Sequence, residues 1–252
     1  MKNKLILLVL LLVALVFTFT ACGDTETTTP LEGDDAKAAY DFVCEKMNAL
    51  GGFEAEMLEE SNNGSESASM EMSVKINFAN GKKGYITTKL DDAGSLLDMT
   101  YLDGTVYCLM KSSGMEIKYK SADASLTAAF EELFSTFEED DDEIASVAFG
   151  SRENGVYTLN LTATEATALE FIMNDFEDME MDASDFSHVS LTMTLECNAE
   201  GYVTKMIQTL SYTVAGEAYT ETTTCTYKNI GTLPEITAPA DADSYMNMDE
   251  MQ

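Results

Sequence analysis

Short turn dipeptides divide most of this chain into segments of alternating apolar and polar residues, and this feature constrains the fold more than any other. Each dipeptide pairs Asn, Asp or Ser with Gly, which are the residues that tolerate the positive φ angles of a two-residue hairpin turn. The segments between them are rich in Val, Ile, Tyr, Thr and Met, which is typical of half-buried strands. The dipeptides are Asn63-Gly64, Asn80-Gly81, Asp103-Gly104, Ser113-Gly114 and Asn154-Gly155. The pattern predicts antiparallel meanders.

Apolar spacing of three and four residues interrupts the strand pattern at three places. The first predicted helix covers 35–50, with Asp34 or Asp35 as its cap, and the second covers 124–137. A third begins near Thr164. The predicted strands are residues 53–60, 67–79, 83–91, 95–102, 105–111, 115–120, 156–163, 186–197, 202–215 and 218–228.

The last three predicted strands provide a test of register. A turn at 200–201 places Leu195 opposite Met206 and Leu191 opposite Leu210, so the apolar faces of the two strands coincide. A second turn is predicted at Gly216-Glu217.

The order of helices and strands predicts an α+β fold. We expect one domain over 35–240, in which a strongly curved antiparallel sheet forms an open half-barrel with about three helices against its concave face. Residues 241–252 are predicted to be a flexible tail.

The N-terminal residues predict export from the cytoplasm. Lys2 and Lys4 precede an uncharged stretch over 5–21, which ends in small residues rather than in a basic cluster. This arrangement is typical of a signal peptide, here 1–21. The alternative is an uncleaved membrane anchor. Residues 22–34 have no apolar period and predict a flexible tether.

The end of this leader, Phe19-Thr20-Ala21-Cys22, resembles the lipobox of bacterial lipoproteins, although the family usually has leucine where this chain has Phe19. The resemblance implies that Cys22 is diacylated, with palmitate among the acyl chains, and becomes the mature N-terminus. Two acyl chains anchor a protein stably where one does not. The expected location is therefore the extracytoplasmic side of the cell membrane.

The rest of the chain resembles the LolA/LppX-like lipoprotein fold of the cell envelope. The resemblance rests on the helix at 36–50, the hairpin at 97–107, the hairpin at 197–206 and the closing segment 227–239. It implies that the protein carries lipid or lipoprotein acyl chains in an apolar cavity of a half-barrel. No individual ligand residue is transferred by the resemblance.

Aromatic and methionine side chains at inward positions are the candidate ligand-binding residues. Flexible, polarizable thioethers suit a cavity that accepts variable acyl chains, and the helix at 124–137 is expected to act as a lid. The alternative is that the methionines are ordinary core residues. The candidates are Phe130, Phe134, Phe137, Phe176, Met99, Met110, Met173, Met193 and Met206.

Composition excludes some functions and disfavours others. The formal net charge of −31 excludes nucleic-acid binding by phosphate neutralisation. His188 stands alone in a predicted strand and is interpreted as structural, and no nucleophile elbow or phosphate loop occurs. The acidic run 138–143 is interpreted as a solvated loop rather than a calcium site. We therefore expect a non-enzymatic protein without catalytic residues, metal or cofactor, and a hydrolase is the least favoured reading.

Two further features leave alternatives open. Cysteines 44, 108, 197 and 225 allow two disulfides in an exported protein, but Cys197 and Cys225 are predicted to have a strand between them and cannot bridge directly. Buried free thiols are the other possibility.

Residues 71–120 hold seven basic and six acidic side chains. This near-neutral surface suggests the alternative of a protein-binding or scaffolding lipoprotein without a cavity ligand.

Overall fold

The structure of the protein is a computed structural model, which describes residues 30–62, 67–77, 83–90, 95–122, 144–175 and 182–248. Over these residues the chain has an α+β fold with two α-helices and one large, mainly antiparallel sheet. No helix within these ranges is long and apolar enough to cross a membrane. The helix predicted at 124–137 lies outside the described residues, and the curvature of the sheet stays a prediction.

The helices are α1, Ala36–Asn48, and α2, Glu165–Asp175. The described strands are β1 Gly52–Asn62, β2 Ser67–Asn77, β3 Lys83–Leu90, β4 Ser95–Leu102, β5 Thr105–Ser112, β6 Met115–Ser121, β7 Ile144–Glu153, β8 Val156–Ala163, β9 Phe186–Asn198, β10 Val203–Val214, β11 Glu217–Lys228 and β12 Met246–Asn247. The ten predicted strands are confirmed within two residues at each end. Strands β7 and β12 were not predicted.

The described strands are hydrogen-bonded in the order β12-β6-β5-β4-β3-β2-β1-β11-β10-β9-β8-β7. The pairs from β2 to β6 form an antiparallel meander, and β9 pairs antiparallel with β10, both as predicted. Strands β7, β8 and β9 are also joined by antiparallel pairs. Strand β12 instead pairs in parallel with β6. It lies in the segment 241–252 that was predicted to be a flexible tail.

Backbone geometry at the turns explains the meanders. Both residues of Asp103-Gly104, Ser113-Gly114 and Asn154-Gly155 have positive φ, which matches the twist of the flanking strands. The turn predicted at Gly216-Glu217 is wrong by one residue, because Ala215 and Gly216 are the pair with positive φ.

The described residues divide into two compact units. Unit A comprises 30–49, 59–62, 67–68, 144–175 and 182–225, and unit B comprises 50–58, 69–77, 83–90, 95–122 and 226–248. Strands β1 and β11 contribute residues to both.

In unit A, helix α1 begins where the sequence predicts. The Asp35 side chain accepts hydrogen bonds from the backbone N–H groups of Lys37 and Ala38, which caps the first turn. Its buried side chains include Tyr40 and Val43. At its other end the Met47 sulfur accepts from the Val203 N–H at 3.3 Å, which fixes the helix to the start of β10.

In unit B, β1 and β2 contact the end of β11 and the segment that follows it. The rings of Phe53 and Tyr227 pack with centroids 5.5 Å apart. The buried Asn77 amide donates to the Pro234 carbonyl at 2.9 Å. Gly52 packs so closely here that a Cβ at this position would lie 2.5 Å from the Ile76 carbonyl oxygen.

Candidate functional site

The register of unit A places the predicted apolar positions in rows across one face of the sheet. Leu195 is opposite Met206 and Leu191 is opposite Leu210, so the register predicted from the sequence is confirmed. Residues directly opposite each other on antiparallel strands point to the same face. Strand β8 extends the rows, because Leu161 is opposite Met193.

The turn Ala215-Gly216 extends the same rows onto β11. A two-residue turn places Ser211 opposite Thr220 and Tyr212 opposite Tyr219. The Ser211 and Thr220 hydroxyls are 3.5 Å apart, and the two tyrosine rings stack with centroids 5.3 Å apart. Continued along the strands, this register gives the pairs Leu210–Glu221, Gln208–Thr223 and Met206–Cys225.

Helix α2 covers one end of this face. We call its contact with the sheet the α2 cluster, which consists of Ala168, Ile172, Phe186, Leu191, Leu210 and Tyr212, all buried. Thr164 begins the helix, since its hydroxyl accepts from the Thr167 N–H at 3.2 Å. Around the cluster lie apolar side chains that are only half-buried, which we call the border residues: Ala163, Leu169, Phe171, Met173, Val189, Val214 and Tyr219.

The row next to the α2 cluster is partly polar. We call it the Gln208 row; it runs Leu161, Met193, Gln208, Thr223 across four strands. Gln208 is only 4% exposed and Thr223 only 7%. Neither side chain makes a hydrogen bond within the described residues, and neither polar end is completely enclosed. Along β10 this row lies between Val203, which α1 contacts, and Leu210, which α2 covers.

Glu221 adds a carboxyl group beside the Gln208 row. It is half-buried, and its Oε1 accepts a hydrogen bond from the Tyr212 hydroxyl at 2.8 Å. Burial raises the pKa of the Glu221 carboxyl, and the hydrogen bond from Tyr212 opposes that rise. The face therefore carries an amide, a hydroxyl and a carboxyl group among apolar side chains.

We expect Glu221→Gln to remove a pH-dependent loss of stability. Because the folded-state pKa of Glu221 is raised, the native state holds this proton more tightly than the unfolded chain does. The free energy of unfolding therefore falls as the pH rises from the unfolded carboxyl pKa, about 4.3, through the raised folded one. Gln cannot ionise, and its oxygen can still accept from Tyr212. Urea unfolding at pH 4 and pH 7 should show the variant gaining on the wild type at the higher pH; an equal difference at both would contradict this.

The structure divides the predicted methionines between the two units. Met206 is buried and Met193 is half-buried on the same face of unit A, in adjacent rows. Met173 is a border residue of the α2 cluster. Met99 is buried and Met110 half-buried in unit B. Their role in binding stays a prediction.

Five other predicted site residues lie outside the described residues. They are the lipidation residue Cys22 and the aromatic candidates Phe130, Phe134, Phe137 and Phe176. The acidic run 138–143 also lies outside them.

The four cysteines within the described residues are buried and form no disulfide. Burial raises the pKa of Cys197 to about 12 and also raises that of Cys108. Since the thiolate is the reactive form, neither cysteine is prepared for nucleophilic chemistry.

His188 is exposed and has a φ of 55° at an irregular position of β9. Within the described ranges no three His, Cys, Asp or Glu side chains come together as metal ligands.

Unit B carries an apolar surface that the sequence analysis did not identify. Strand β6 exposes Met115 (66%) and Ile117, and next to it β12 exposes Met246 (52%). Because Met246 is opposite Tyr119, these alternate residues share one face at the edge of the sheet. We call this set the β6 edge patch. The alternation in Met115–Tyr119 predicted a strand, but not that the strand would lie at the edge.

Several solved structures are similar to this chain. The crystal structure of LprF from Mycobacterium bovis matches with 13% sequence identity and a TM-score of 0.41, over 82% of this chain and 100% of that one. The LolA superfamily protein NE2245 from Nitrosomonas europaea matches with 10% identity and a TM-score of 0.28, over 80% and 94%. A putative outer membrane lipoprotein-sorting protein domain from Vibrio parahaemolyticus matches with 12% identity and a TM-score of 0.27, over 80% and 95%.

These TM-scores are all below 0.5, so the likeness alone assigns neither a fold family nor a function. No protein-family model matches the sequence, and no curated protein matches it.

Proposed function

We propose that the protein is a non-enzymatic lipoprotein that binds an apolar ligand, a lipid or an acyl chain, on the face of unit A that α2 covers. It is anchored through acylated Cys22 on the extracytoplasmic side of the cell membrane. The half-barrel form of the sheet and a lid formed by 124–137, with Phe130, Phe134 and Phe137, belong to the same proposal.

The observation that carries the proposal is the incomplete burial of apolar side chains around α2. The border residues pack against the α2 cluster, and Met193 lies in the neighbouring row of the same face, yet all of them remain half-buried. Burying apolar surface stabilises by about 25 cal/mol per Å², so a ligand that covers these side chains gains binding energy. Thioethers such as those of Met173 and Met193 adapt to chains of different shape.

The anchoring part of the proposal rests on the sequence. The leader 1–21 and the residues around Cys22 resemble those of bacterial lipoproteins. The non-enzymatic part rests on the absence of recognisable catalytic motifs and on a single histidine in the whole chain.

A photoreactive acyl chain tests the binding site. The full chain, held in phosphatidylcholine nanodiscs, is exposed to a 12-carbon alcohol that carries a diazirine, and the labelled peptides are identified by mass spectrometry. We expect labels on peptides of α2, β9 and β10. Met193→Glu should lower this labelling at least about fivefold, because it puts a charge where the apolar chain of the probe would lie.

Thr192→Glu is the matched control. Thr192 is exposed and adjacent to Met193, but it points to the opposite face, so the same new charge should leave the labelling unchanged. Circular dichroism of both variants checks that they are folded. Equal labelling of the two variants, or no label on unit A, would defeat the proposal.

The β6 edge patch favours a second candidate function, that of a protein-binding or scaffolding lipoprotein. Its exposed Met115, Ile117 and Met246 would be covered by a partner protein. A photo-crosslinking amino acid at 115 or 246 in cells should give a discrete adduct, whereas the same residue at Glu116, on the other face of β6, should not.

A further inference from the structure

The Gln208 row contains polar groups that the described fold does not use. Gln208 and Thr223 are each more than nine-tenths buried and are opposite each other on β10 and β11. Their polar ends are not completely enclosed, so each can form a hydrogen bond with a group from outside the described fold.

Glu221 belongs to the same polar group of side chains. It is opposite Leu210, so it lies diagonally next to Gln208 and one position along the face from Thr223. Diagonal neighbours on a sheet are about 7–8 Å apart, within reach of long side chains. The hydroxyl of Tyr212 occupies only Oε1 of the carboxyl group.

All three groups offer acceptor oxygens. The carboxylate of Glu221 accepts only, whereas the Gln208 amide and the Thr223 hydroxyl can accept and can also donate. The rows of Gln208 and Leu210 contain no basic side chain at any of their positions on β8, β9, β10 and β11. An anionic group bound here would have no cation to pair with and would face the charge of Glu221.

We infer that Gln208, Thr223 and Glu221 bind the polar end of the apolar ligand, and that this end donates hydrogen bonds, as a hydroxyl or a protonated amine does. This inference rests on the proposed function, because it presumes that unit A binds an apolar chain. In this arrangement the acyl chain of the ligand lies against Met193 and the border residues, and its polar head group lies in the Gln208 row.

Three photoreactive probes with the same 12-carbon diazirine chain test the inference. They end in a hydroxyl, a carboxylate or an ammonium group, and each is applied to the full chain in phosphatidylcholine nanodiscs at pH 7 and physiological salt. The quantity measured is the ratio of alcohol labelling to acid labelling on unit A peptides. Comparing this ratio between variants cancels the different partitioning of the probes into the bilayer.

We expect Glu221→Gln to lower the alcohol-to-acid ratio about tenfold, because it removes the like charge that disfavours a carboxylate in a half-buried site. Glu196→Gln is the control: it changes the net charge equally, but Glu196 lies on the opposite face of β9, near Lys205. Gln208→Leu, which has a similar volume, should lower alcohol labelling at least about threefold with little effect on the acid. The ammonium probe should follow the alcohol at Gln208→Leu and should lose labelling at Glu221→Gln.

The possible outcomes distinguish the head-group inference from the proposed function. If all three probes label unit A but the ratio is the same in wild type, Glu221→Gln and Glu196→Gln, the head-group inference is wrong while the proposed function stands. If Glu196→Gln changes the ratio as much as Glu221→Gln, the effect is one of net charge and the inference is also wrong. If no probe labels unit A, both the inference and the proposed function are overturned.

Discussion

Replacing Cys22 by serine should abolish incorporation of labelled palmitate into the protein and release it from membranes washed with carbonate. The thiol is the only attachment point for the acyl chains in the proposed lipidation, and a serine hydroxyl does not replace it. Each buried CH₂ contributes about 0.8 kcal/mol to membrane binding. The loss of two chains is therefore a change of many kcal/mol.

Cys44→Ser is the control for this experiment. Cys44 is buried in α1 and forms no disulfide, so its replacement should leave palmitate incorporation intact. If palmitate is still incorporated into Cys22→Ser, or if wild type is not labelled, lipidation at Cys22 is wrong. A variant that loses the label yet stays with washed membranes would indicate that 1–21 is retained as an anchor.

Gly52→Ala should lower the free energy of unfolding by about 2 kcal/mol, which is in the range measured for overpacked sites. A Cβ at residue 52 would lie 2.5 Å from the Ile76 carbonyl oxygen and 3.2 Å from Cδ of Pro234. Backbone atoms cannot rotate away, so β1 and β2 must separate locally. That movement would also strain the buried hydrogen bond from Asn77 to Pro234.

Urea unfolding of the purified variants measures this loss. Gly33→Ala is the matched control, because Gly33 is exposed and its nearest neighbour, the Pro30 carbonyl oxygen, would be 3.3 Å from the added Cβ. We expect that control to change stability by less than about 0.5 kcal/mol. Equal unfolding midpoints for the two variants would show that the contact at Gly52 relaxes without cost.

Most strands could be predicted because their signals are local. Dipeptides such as Asp103-Gly104 favour the positive φ angles of a hairpin turn, and the apolar alternation in the segments between such turns reports burial of one face of each strand. The register of β9 and β10 follows from the same information, since a slip of one residue would turn Leu195 and Leu210 toward solvent. Strand β7 was missed because, along most of 144–153, the apolar alternation is weak and many side chains are exposed.

The candidate site was predicted less completely. Methionines such as Met193 and Met206 were identified as inward-facing from the alternation of inward and outward positions along their strands. The same alternation places Gln208 and Thr223 on the covered face. A polar residue at one inward position of a strand does not by itself indicate a binding site. Its meaning depends on the neighbouring strand, where the turn at Ala215-Gly216 brings the two polar groups opposite each other.

The amino-acid sequence by itself determined the local features of this protein: where strands begin and end, which residues pair in the hairpins, and the cap of α1 by Asp35. These depend on backbone conformations and side-chain spacing within a few residues. Only the tertiary structure decided that α2 covers the rows of Leu210 and Tyr212 but leaves Met193 half-buried, and that β6 lies beside β12 at an edge of the sheet. Those outcomes depend on contacts between residues far apart in the chain, and burial is a property of the assembled surface rather than of any single segment.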